Sequence, residues 1–423
     1  MMTGGHRTDA RCIVLAASQN QELATAGLTD AESILANVWG YDALRFHQRR
    51  AVLALLRGRD CLAMLPTGGG KSICFQLPAL VRDGTTLVVS PLISLMQDQV
   101  SALRKRGVAA AYLSSTQKPA LQRSVLEALN ARRLKLLYVA PERLESLVER
   151  CRQVCGTLAI DEAHCISEWG HEFRPHYRAL GLHRQVLGFP PTMAVTATAT
   201  PSTRDDIARV LGLKNPVVVT QSFDRPNLSF EVRRFADEPS RLNEAKVMLR
   251  AEQGTAIVYV PTRNRTDGVT TILRRAGIAA APYHAGLPSG ARRALLRRFL
   301  DGSIRVMVAT SAFGMGIDKP DVRLVVHLGI PTRPEAYYQE AGRAGRDGAA
   351  SRCLLMWTKR DLVLADRMKG AGPAAGEGLA TMRRYVLGRR CRRRILLAYL
   401  GEQEVRCAGC DLCGPGRSPA PRS

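Results

Sequence analysis

Leu65-Pro-Thr-Gly-Gly-Gly-Lys-Ser72 is the stretch on which the reading of this chain turns. It follows a short apolar run, Cys61 to Leu65, and precedes a helical pattern. Consecutive glycines let backbone N–H groups face one anion, and the N-terminus of the following helix adds its dipole. In such a phosphate loop Thr67, Gly68, Gly69 and Gly70 form the cradle, Lys71 reaches the β- and γ-phosphates, and the Ser72 hydroxyl holds Mg²⁺. The strict pattern would put Gly at 65, where Leu65 stands. A Gly-rich turn alone would be an ordinary flexible loop; Gly-Lys-Ser attached to it weakens that reading.

Outward from this loop, short apolar segments alternate with helical patterns: Leu87 to Val89, Leu136 to Val139, Leu158 to Ile160, Ala194 to Thr196, Ala256 to Val260, Val306 to Ala309 and Leu324 to His327. Strands alternating with helices predict βαβ units and parallel sheets, an α/β fold. The series is too long for one compact sheet, and Pro226 interrupts it between Ser222 and Ser229. The expected organisation is an extension over 1–30, a first lobe over 31–222, a second over 223–362, a helical C-terminal module over 363–415 and a tail over 416–423. A helix is expected from Ala31 with Asp30 as its cap. The Gly- and Ala-rich residues 370–380 read as a linker.

Leu158-Ala-Ile-Asp-Glu-Ala-His164 sets two carboxylates at the end of an apolar strand. Alone, the pair would be a solvated loop. With a phosphate loop present, Asp161 suits Mg²⁺ and Glu162 suits a general base that polarises the attacking water, which is the division of labour phosphoryl transfer needs. Gln339-Glu-Ala-Gly-Arg-Ala-Gly-Arg-Asp347 adds Arg343 and Arg346, which can stabilise a γ-phosphate from a second lobe. The plainer reading is a solvated Arg-rich turn. If the arginines and the loop sit on different lobes, hydrolysis requires lobe closure.

The chain has 423 residues and a formal charge of +24, from 61 basic and 37 acidic side chains. At 46% hydrophobic and 23% charged residues it is an ordinary globular composition, which excludes wholesale disorder. No apolar run approaches the roughly 18 residues of a membrane span. Cys12 to Ala17 is too brief for a signal peptide. A soluble, cytoplasmic protein is expected, and the basic balance favours nucleic acid as its partner. Arg outnumbers Lys, so part of the charge can reflect a high-GC genome instead.

Seven of the eleven cysteines are scattered and read as reduced thiols. Cys391, Cys407, Cys410 and Cys413 instead form C-x15-C-x2-C-x2-C, a spacing that fits tetrahedral Zn²⁺. No open ligand position is evident, so a structural zinc is expected.

Asp161-Glu-Ala-His-Cys-Ile-Ser-Glu-Trp-Gly-His-Glu-Phe-Arg-Pro175 resembles the second motif and aromatic-rich loop of RecQ-type DNA helicases. The resemblance runs from about Trp39 to Cys413, with the motifs in the family's order. It implies two RecA-like lobes followed by a small helical zinc module, and ATP-driven 3′-to-5′ movement on single-stranded DNA with duplex unwinding, in DNA repair and recombination. It implies that Tyr41, Arg45 and Gln48 hold adenine, with Tyr41 stacked on the base, and that Gln339 lies at the nucleotide. Arg346 is the better finger candidate and Arg343 the second. Ser94 and Gln99 fall in a DNA-contacting motif, Thr196 to Ala199 in one that couples hydrolysis to DNA, and Arg263 and His284 on the DNA side of the second lobe. Trp169 and Phe173 would stack on bases at about 1 to 3 kcal/mol each. Arg174 would add phosphate or cation–π contact, and His171 would link this loop to the ATP site. Arg389, Arg390, Arg392, Arg393 and Arg394 match the family's Arg-rich run before the zinc cysteines, a piece expected to touch phosphates.

The sequence departs from the family at Glu168, usually Gln, at Ser311, commonly Asn, and at Leu44, an upstream Phe. It ends ten residues after Cys413, so a short form without winged-helix and HRDC domains is expected. Three functions follow: a minimal DNA helicase, a DNA-stimulated translocase that unwinds weakly without a partner, or a DNA-bridging and annealing protein with ATP as a switch. Intact Lys71, Asp161, Glu162 and Arg346 argue against the third. Single-stranded and tailed duplex DNA are the expected partners, with a single-strand-binding protein or other repair factors possible, no membrane, and a nucleoid-associated cytoplasmic location.

Overall fold

The computed structural model describes residues 27–66, 68–167, 173–314, 319–370, 373–403, 406–407 and 409–414. Thr67, Glu168, Trp169 and His171 lie outside the described residues.

The first lobe is a seven-stranded sheet. Its strands are β1 (Cys61–Met64), β2 (Thr85–Val89), β3 (Ala110–Leu113), β4 (Leu136–Val139), β5 (Cys155–Ile160), β6 (Thr192–Thr196) and β7 (Val217–Thr220), in the order β3-β4-β2-β5-β6-β1-β7. All pairs are parallel, for example Ala63 with Val195 and Val88 with Ala159. Parallel sheets are covered on both faces, so their central strands are apolar throughout. Alternation along β1 shows the two faces: Cys61 and Ala63 pack with Ala51, Leu55 and Phe75 of the helices Phe46–Leu56 and Ile73–Val81, while Leu62 packs with Leu87, Ile160 and Leu180 on the other side.

The second lobe repeats the plan with β8 (Leu228–Arg234), β9 (Thr255–Tyr259), β10 (Ala280–Tyr283), β11 (Val306–Ala309), β12 (Val322–Leu328) and β13 (Ser351–Trp357), in the order β10-β11-β9-β12-β13-β8, again all parallel. The chain crosses between the sheets over 221–227. The strands not anticipated individually are the four edge strands and β13. Edge strands lack the unbroken apolar run: β10 is Ala-Ala-Pro-Tyr, and β8 alternates as Leu-Ser-Phe-Glu-Val-Arg-Arg.

Two local expectations are corrected. The first described helix already covers 27–34 and runs into a wider turn, Leu35–Trp39, so Asp30 lies inside it and is not its cap. Leu28, Ala31 and Leu35 are buried at i, i+3 and i+7, which extends the apolar stripe a turn upstream. Residues 373–380 are not a linker but the first half of the helix Pro373–Leu387. Pro373 opens it with a helical φ, and Ala carries the strongest helix propensity.

The C-terminal module does not sit apart. Met64 and Ala199 of the first lobe, Phe230 and Tyr337 of the second, and Tyr385, Cys391 and Leu396 of the module belong to one continuous core. Arg393, expected to face phosphates, is fully buried: it pairs with Asp224, donates to the Arg225 and Leu228 carbonyls, and lies 5.4 Å from the Phe230 ring centre. Arg392 is buried too, on Asp411 at 3.0 Å and the Gly388 carbonyl at 3.1 Å. Of the run, Arg389 and Arg390 remain exposed. Arg393 thus pins the module to the 221–227 crossover and the start of β8, while Arg392 ties the module together internally. Glu402 adds to this grip by accepting from Ser222 Oγ at 2.9 Å and from the Phe223 amide.

Candidate nucleotide site and zinc centre

Leu65 leaves β1 with its N–H on the Thr196 carbonyl at 3.1 Å, and the loop turns through Gly69 N to Pro66 O at 2.9 Å. Gly68 and Gly70 take φ of +81° and +71°. At Gly70 a Cβ would come within 2.3 Å of Gln48 Nε2, so this position admits no side chain without displacing Gln48. Gln48 is buried against the loop. Its Nε2 donates to the Gly69 and Gly70 carbonyls at 3.1 and 3.4 Å, and its Oε1 accepts from Arg45 N at 3.0 Å. Arg45 Nη1 reaches the Gly68 carbonyl at 3.4 Å. Both residues therefore brace the phosphate loop, while Tyr41 stays 57% exposed, open to stacking. Lys71 Nζ rests on the Leu65 carbonyl at 3.3 Å. The helix behind Ser72 has no side-chain cap; Cys74 and Phe75 N–H turn onto the Lys71 and Ser72 carbonyls at 3.1 and 3.3 Å, so the amides ahead of Cys74 are those that can meet an anion.

Asp161 and Glu162 follow β5, two strands from β1. Asp161 accepts from Ser90 Oγ at 3.3 Å and from Glu162 N at 3.0 Å, and Tyr177 donates to its carbonyl at 3.0 Å. Burial is the larger cause raising the Asp161 carboxyl above the usual range, and the Glu162 charge adds to it; Lys71 pulls the other way. Two carboxylates in so dry a setting, beside a hydroxyl and an ammonium, fit a hard divalent cation with oxygen ligands. Glu162 takes the left-handed conformation, φ +48° and ψ 48°, at a cost of roughly 1–2 kcal/mol. That turn points its carboxylate to His164 Nδ1, 3.3 Å away.

From there a chain of polar contacts crosses the lobes. His164 is buried with Nδ1 2.9 Å from Thr196 Oγ1; Thr196 Oγ1 donates to the Thr198 carbonyl at 2.9 Å; and Gln339 Nε2 of the second lobe donates to Thr198 Oγ1 at 3.1 Å. Arg343 is buried, with Tyr259 as a neighbour, and Arg346 lies half-buried near the same tyrosine. Gln339 and Arg343 line a cavity of about 420 Å³ at the carboxyl ends of β9 and β12, together with Ser311.

The expected DNA residues divide. Ser94 and Arg263 are exposed, and Phe173 is 38% exposed. Gln99 turns inward, accepting from Gln76 Nε2 at 2.8 Å. Arg174 Nη1 donates to the Pro91 carbonyl at 3.0 Å, next to the Ser90 that holds Asp161. His284 is buried beside Asp267 at 3.3 Å, and both it and Arg263 border the space beside the Gly286 Cα. Ser90, Tyr177, His164 and the individual threonines were not singled out from sequence. His164, Thr196 and Thr198 each stand inside a motif already quoted, and Ser90 opens the one that holds Ser94 and Gln99; Tyr177 carried no signal.

The Sγ atoms of Cys391, Cys407, Cys410 and Cys413 all lie within 4.8 Å of one another, and Cys391 and Cys410 are 4.0 Å apart. Zn–S bonds of about 2.3 Å in a tetrahedron put sulfurs about 3.8 Å apart, so the four thiols fit Zn²⁺. All four are buried, and together they complete a tetrahedral ligand set. The cluster is held on β8: Cys410 bridges to Phe230, Asp411 N donates to Phe230 O at 3.0 Å, and Val232 N donates to Asp411 Oδ2 at 3.2 Å. It thereby covers the otherwise open edge of the second sheet.

Fold and site define a class: an ATPase with its phosphate loop on one parallel-sheet lobe and its completing residues on another. Residues 45–207 match the DEAD/DEAH box helicase family, 240–348 the helicase conserved C-terminal domain, and 363–414 the RecQ zinc-binding family. The chain is 43% identical over 404 residues to the ATP-dependent DNA helicase RecQ of Bacillus subtilis, covering 92% of this chain and 67% of that protein. It is 40% identical to the RecQ of Pasteurella multocida, covering 90% and 62%. It is also 40% identical to the probable ATP-dependent DNA helicase RecS of Bacillus subtilis, covering 90% and 78%. Among solved structures, the DUF1998 helicase MrfA bound to DNA shares the fold at a TM-score of 0.67 and 19% identity, over 80% of this chain and 52% of that one. Saccharomyces cerevisiae Dbp5 bound to RNA and ADP BeF3 does so at 0.63 and 16%, over 84% and 90%. The chain belongs to the RecQ family of ATP-dependent DNA helicases. It spans about two thirds of the length of the RecQ relatives it matches. Family and donor sets together imply ATP, Mg²⁺ and Zn²⁺. Among the described residues no helix is long and apolar enough to cross a membrane.

Proposed function

We propose that this protein couples ATP hydrolysis to 3′-to-5′ movement on single-stranded DNA and to unwinding of tailed duplexes, in DNA repair and recombination. The observation that carries the reading is the polar chain Glu162–His164–Thr196–Thr198–Gln339, which joins the base to the second lobe. Lys71 and the uncapped helix N-terminus would bind the phosphates, and the Tyr41 ring would stack on adenine. Glu162 would take a proton from the attacking water, with His164 fixing its orientation. Mg²⁺ held by Asp161 and Ser72 would supply charge neutralisation at the phosphates. Arg346 and Arg343 would complete the site on lobe closure, and opening after release would advance the lobes along the strand. Exposed Phe173, Ser94 and Arg263 would meet the DNA, with Trp169 and His171 of the same loop as Phe173. The contact from Arg174 through Pro91 and Ser90 to Asp161 offers a short route from strand to nucleotide.

A translocase that unwinds weakly without a partner is the second reading; about a third of the RecQ relatives' own length lies outside the match. The test is steady-state ATP hydrolysis with and without single-stranded DNA, in the same tube as duplexes tailed on the 3′ or the 5′ side. Stimulation with unwinding of the 3′-tailed duplex alone is expected. Stimulation without unwinding selects the translocase, and unwinding from the 5′ tail overturns the polarity.

A further inference from the structure

The crossover between the two sheets reads Gln221-Ser-Phe-Asp-Arg-Pro-Asn227. Pro226 fixes its own φ and biases the residue before it to extended backbone. Arg225 and Asn227, on either side of that proline, both reach the turn that follows the helix Pro334–Ala341 and carries Arg343 and Arg346. Arg225 Nη1 donates to the Gly342 carbonyl at 3.3 Å, and its Nη2 donates to the Ala344 and Gly345 carbonyls at 3.1 and 2.6 Å. Asn227 Nδ2 donates to the Gly345 and Ala349 carbonyls at 2.8 and 2.9 Å. One guanidinium therefore holds the residues on both sides of Arg343. The Gly345 carbonyl, directly before Arg346, is held twice and by the shortest of these bonds.

Carbonyls of an irregular turn have no ladder to bond them, so their donors must come from elsewhere. Here the crossover supplies them, and the fit is close. Gly345 takes a φ of +53°, and a Cβ there would stand 2.5 Å from Asn227 Nδ2 and 2.6 Å from the Ala349 carbonyl. The backbone of Arg225 is held in turn. Its carbonyl accepts from the Leu228 amide at 3.0 Å and from Arg393 Nη1 at 2.9 Å, while Asp224 pairs with the same Arg393 guanidinium. The segment that joins the lobes is thus bonded to the zinc module on one side and to the arginine turn on the other.

We infer that Arg225 is a positioning residue for ATP hydrolysis: from the crossover between the lobes it shapes the 342–346 turn, so that Arg346 meets the γ-phosphate when the lobes close. The inference rests on the ATPase reading above, in which Arg346 completes the site. Arg225 does not touch the nucleotide in this scheme. It acts through Arg346, whose contact is made in the closed transition state, so its effect falls on kcat rather than on ATP binding.

Arg225→Lys keeps the charge but replaces a planar fork that spans three carbonyls with a single ammonium. The DNA-stimulated kcat for ATP is expected to fall about tenfold, with the KM for ATP and the affinity for a fluorescent ATP analogue unchanged. Asn227→Ala frees the Gly345 and Ala349 carbonyls from one donor and is expected to lower kcat about threefold, again without a change in KM. If both act through Arg346, either substitution combined with Arg346→Ala is no slower than Arg346→Ala alone. Multiplying effects in either pair, a rise in KM in place of the fall in kcat, or an Arg225→Lys protein as fast as the unaltered one would overturn the inference and leave the ATPase reading standing. No hydrolysis by the unaltered protein would overturn both. Should Arg225→Lys fail to fold, the kcat and KM of Asn227→Ala, alone and with Arg346→Ala, decide.

Discussion

Matched strand for strand from one edge, the orders β3-β4-β2-β5-β6-β1 and β10-β11-β9-β12-β13-β8 set β1 of the first lobe opposite β8 of the second. Each is followed by a helix, and the two helix N-termini are filled differently. After β1 come Gly68 to Gly70 and a helix whose first turn has no side-chain cap. After β8 comes Asp237, whose carboxylate accepts from Ser240 N at 2.9 Å and caps the helix Glu238–Ala251. The second lobe carries its own anion at the position where the first leaves N–H groups for an arriving one. The outer edges differ as well: β1 is flanked by β7, whereas the zinc cluster bridges to β8. One scaffold therefore carries the proposed nucleotide site in one copy and a docking edge in the other.

The largest effect expected from breaking this contrast is at Lys71. Lys71→Ala removes the cation proposed to meet the phosphates and is expected to lower kcat/KM for ATP by about 10²–10³-fold, roughly 3–4 kcal/mol. The melting temperature should hold, because among the described residues the Lys71 ammonium makes a single hydrogen bond, to the Leu65 carbonyl. Hydrolysis within a few fold of the unaltered protein would show that the loop is not the phosphate site.

How much of this was legible in the sequence follows from the same physics. The phosphate loop, the carboxylate pair and the four cysteines are local patterns whose residue types and spacing carry the chemistry directly. Central strands are legible because burial on both faces leaves an unbroken apolar run. The edge strands are not, since β7 and β8 each keep a half-exposed face. Arg393 illustrates the other limit. In sequence it belongs to a run of five arginines and reads as a phosphate contact. Only the fold brings Asp224 and the crossover carbonyls around it, from a point some 170 positions earlier in the chain. The same holds for Tyr399 of the C-terminal module, whose hydroxyl donates to Glu335 Oε1 at 3.1 Å, 64 positions earlier.

Arg393 supplies the next test, on the docking-edge side of the comparison. Arg393→Met keeps the bulk but takes the guanidinium away from Asp224 and from the Arg225 and Leu228 carbonyls. Removing one partner of a buried pair costs about 3 kcal/mol, so urea unfolding should show a loss of that order. Stripping zinc with a chelator should act on the same edge: amide exchange at Val232, bonded to Asp411, should quicken while β1 amides stay protected. Equal exchange in both strands would mean that the module does not protect β8.

Gly70→Ala is expected to do less. It forces a side chain into a φ of +71° and toward Gln48 Nε2. Gln48 can swing aside but then releases the Gly69 and Gly70 carbonyls, at about 0.5–1.5 kcal/mol per bond. A rise of about tenfold in the KM for ATP should accompany a stability loss of about 2 kcal/mol. An unchanged KM would separate Gln48 from the nucleotide site.

The smallest effect sharpens the comparison most. Asp237→Ala takes the resident carboxylate from the second lobe's helix and should destabilise the protein by about 1 kcal/mol, the usual worth of an N-cap. Ser72→Ala takes a hydroxyl that makes no cap in the first lobe, so stability should hold while hydrolysis falls with the loss of a metal ligand. The paired outcome is the point. If a carboxylate in the second lobe does structurally what a phosphate does functionally in the first, the two substitutions trade places between melting temperature and kcat. A shift of both quantities by both substitutions would mean that the two helix termini do the same work.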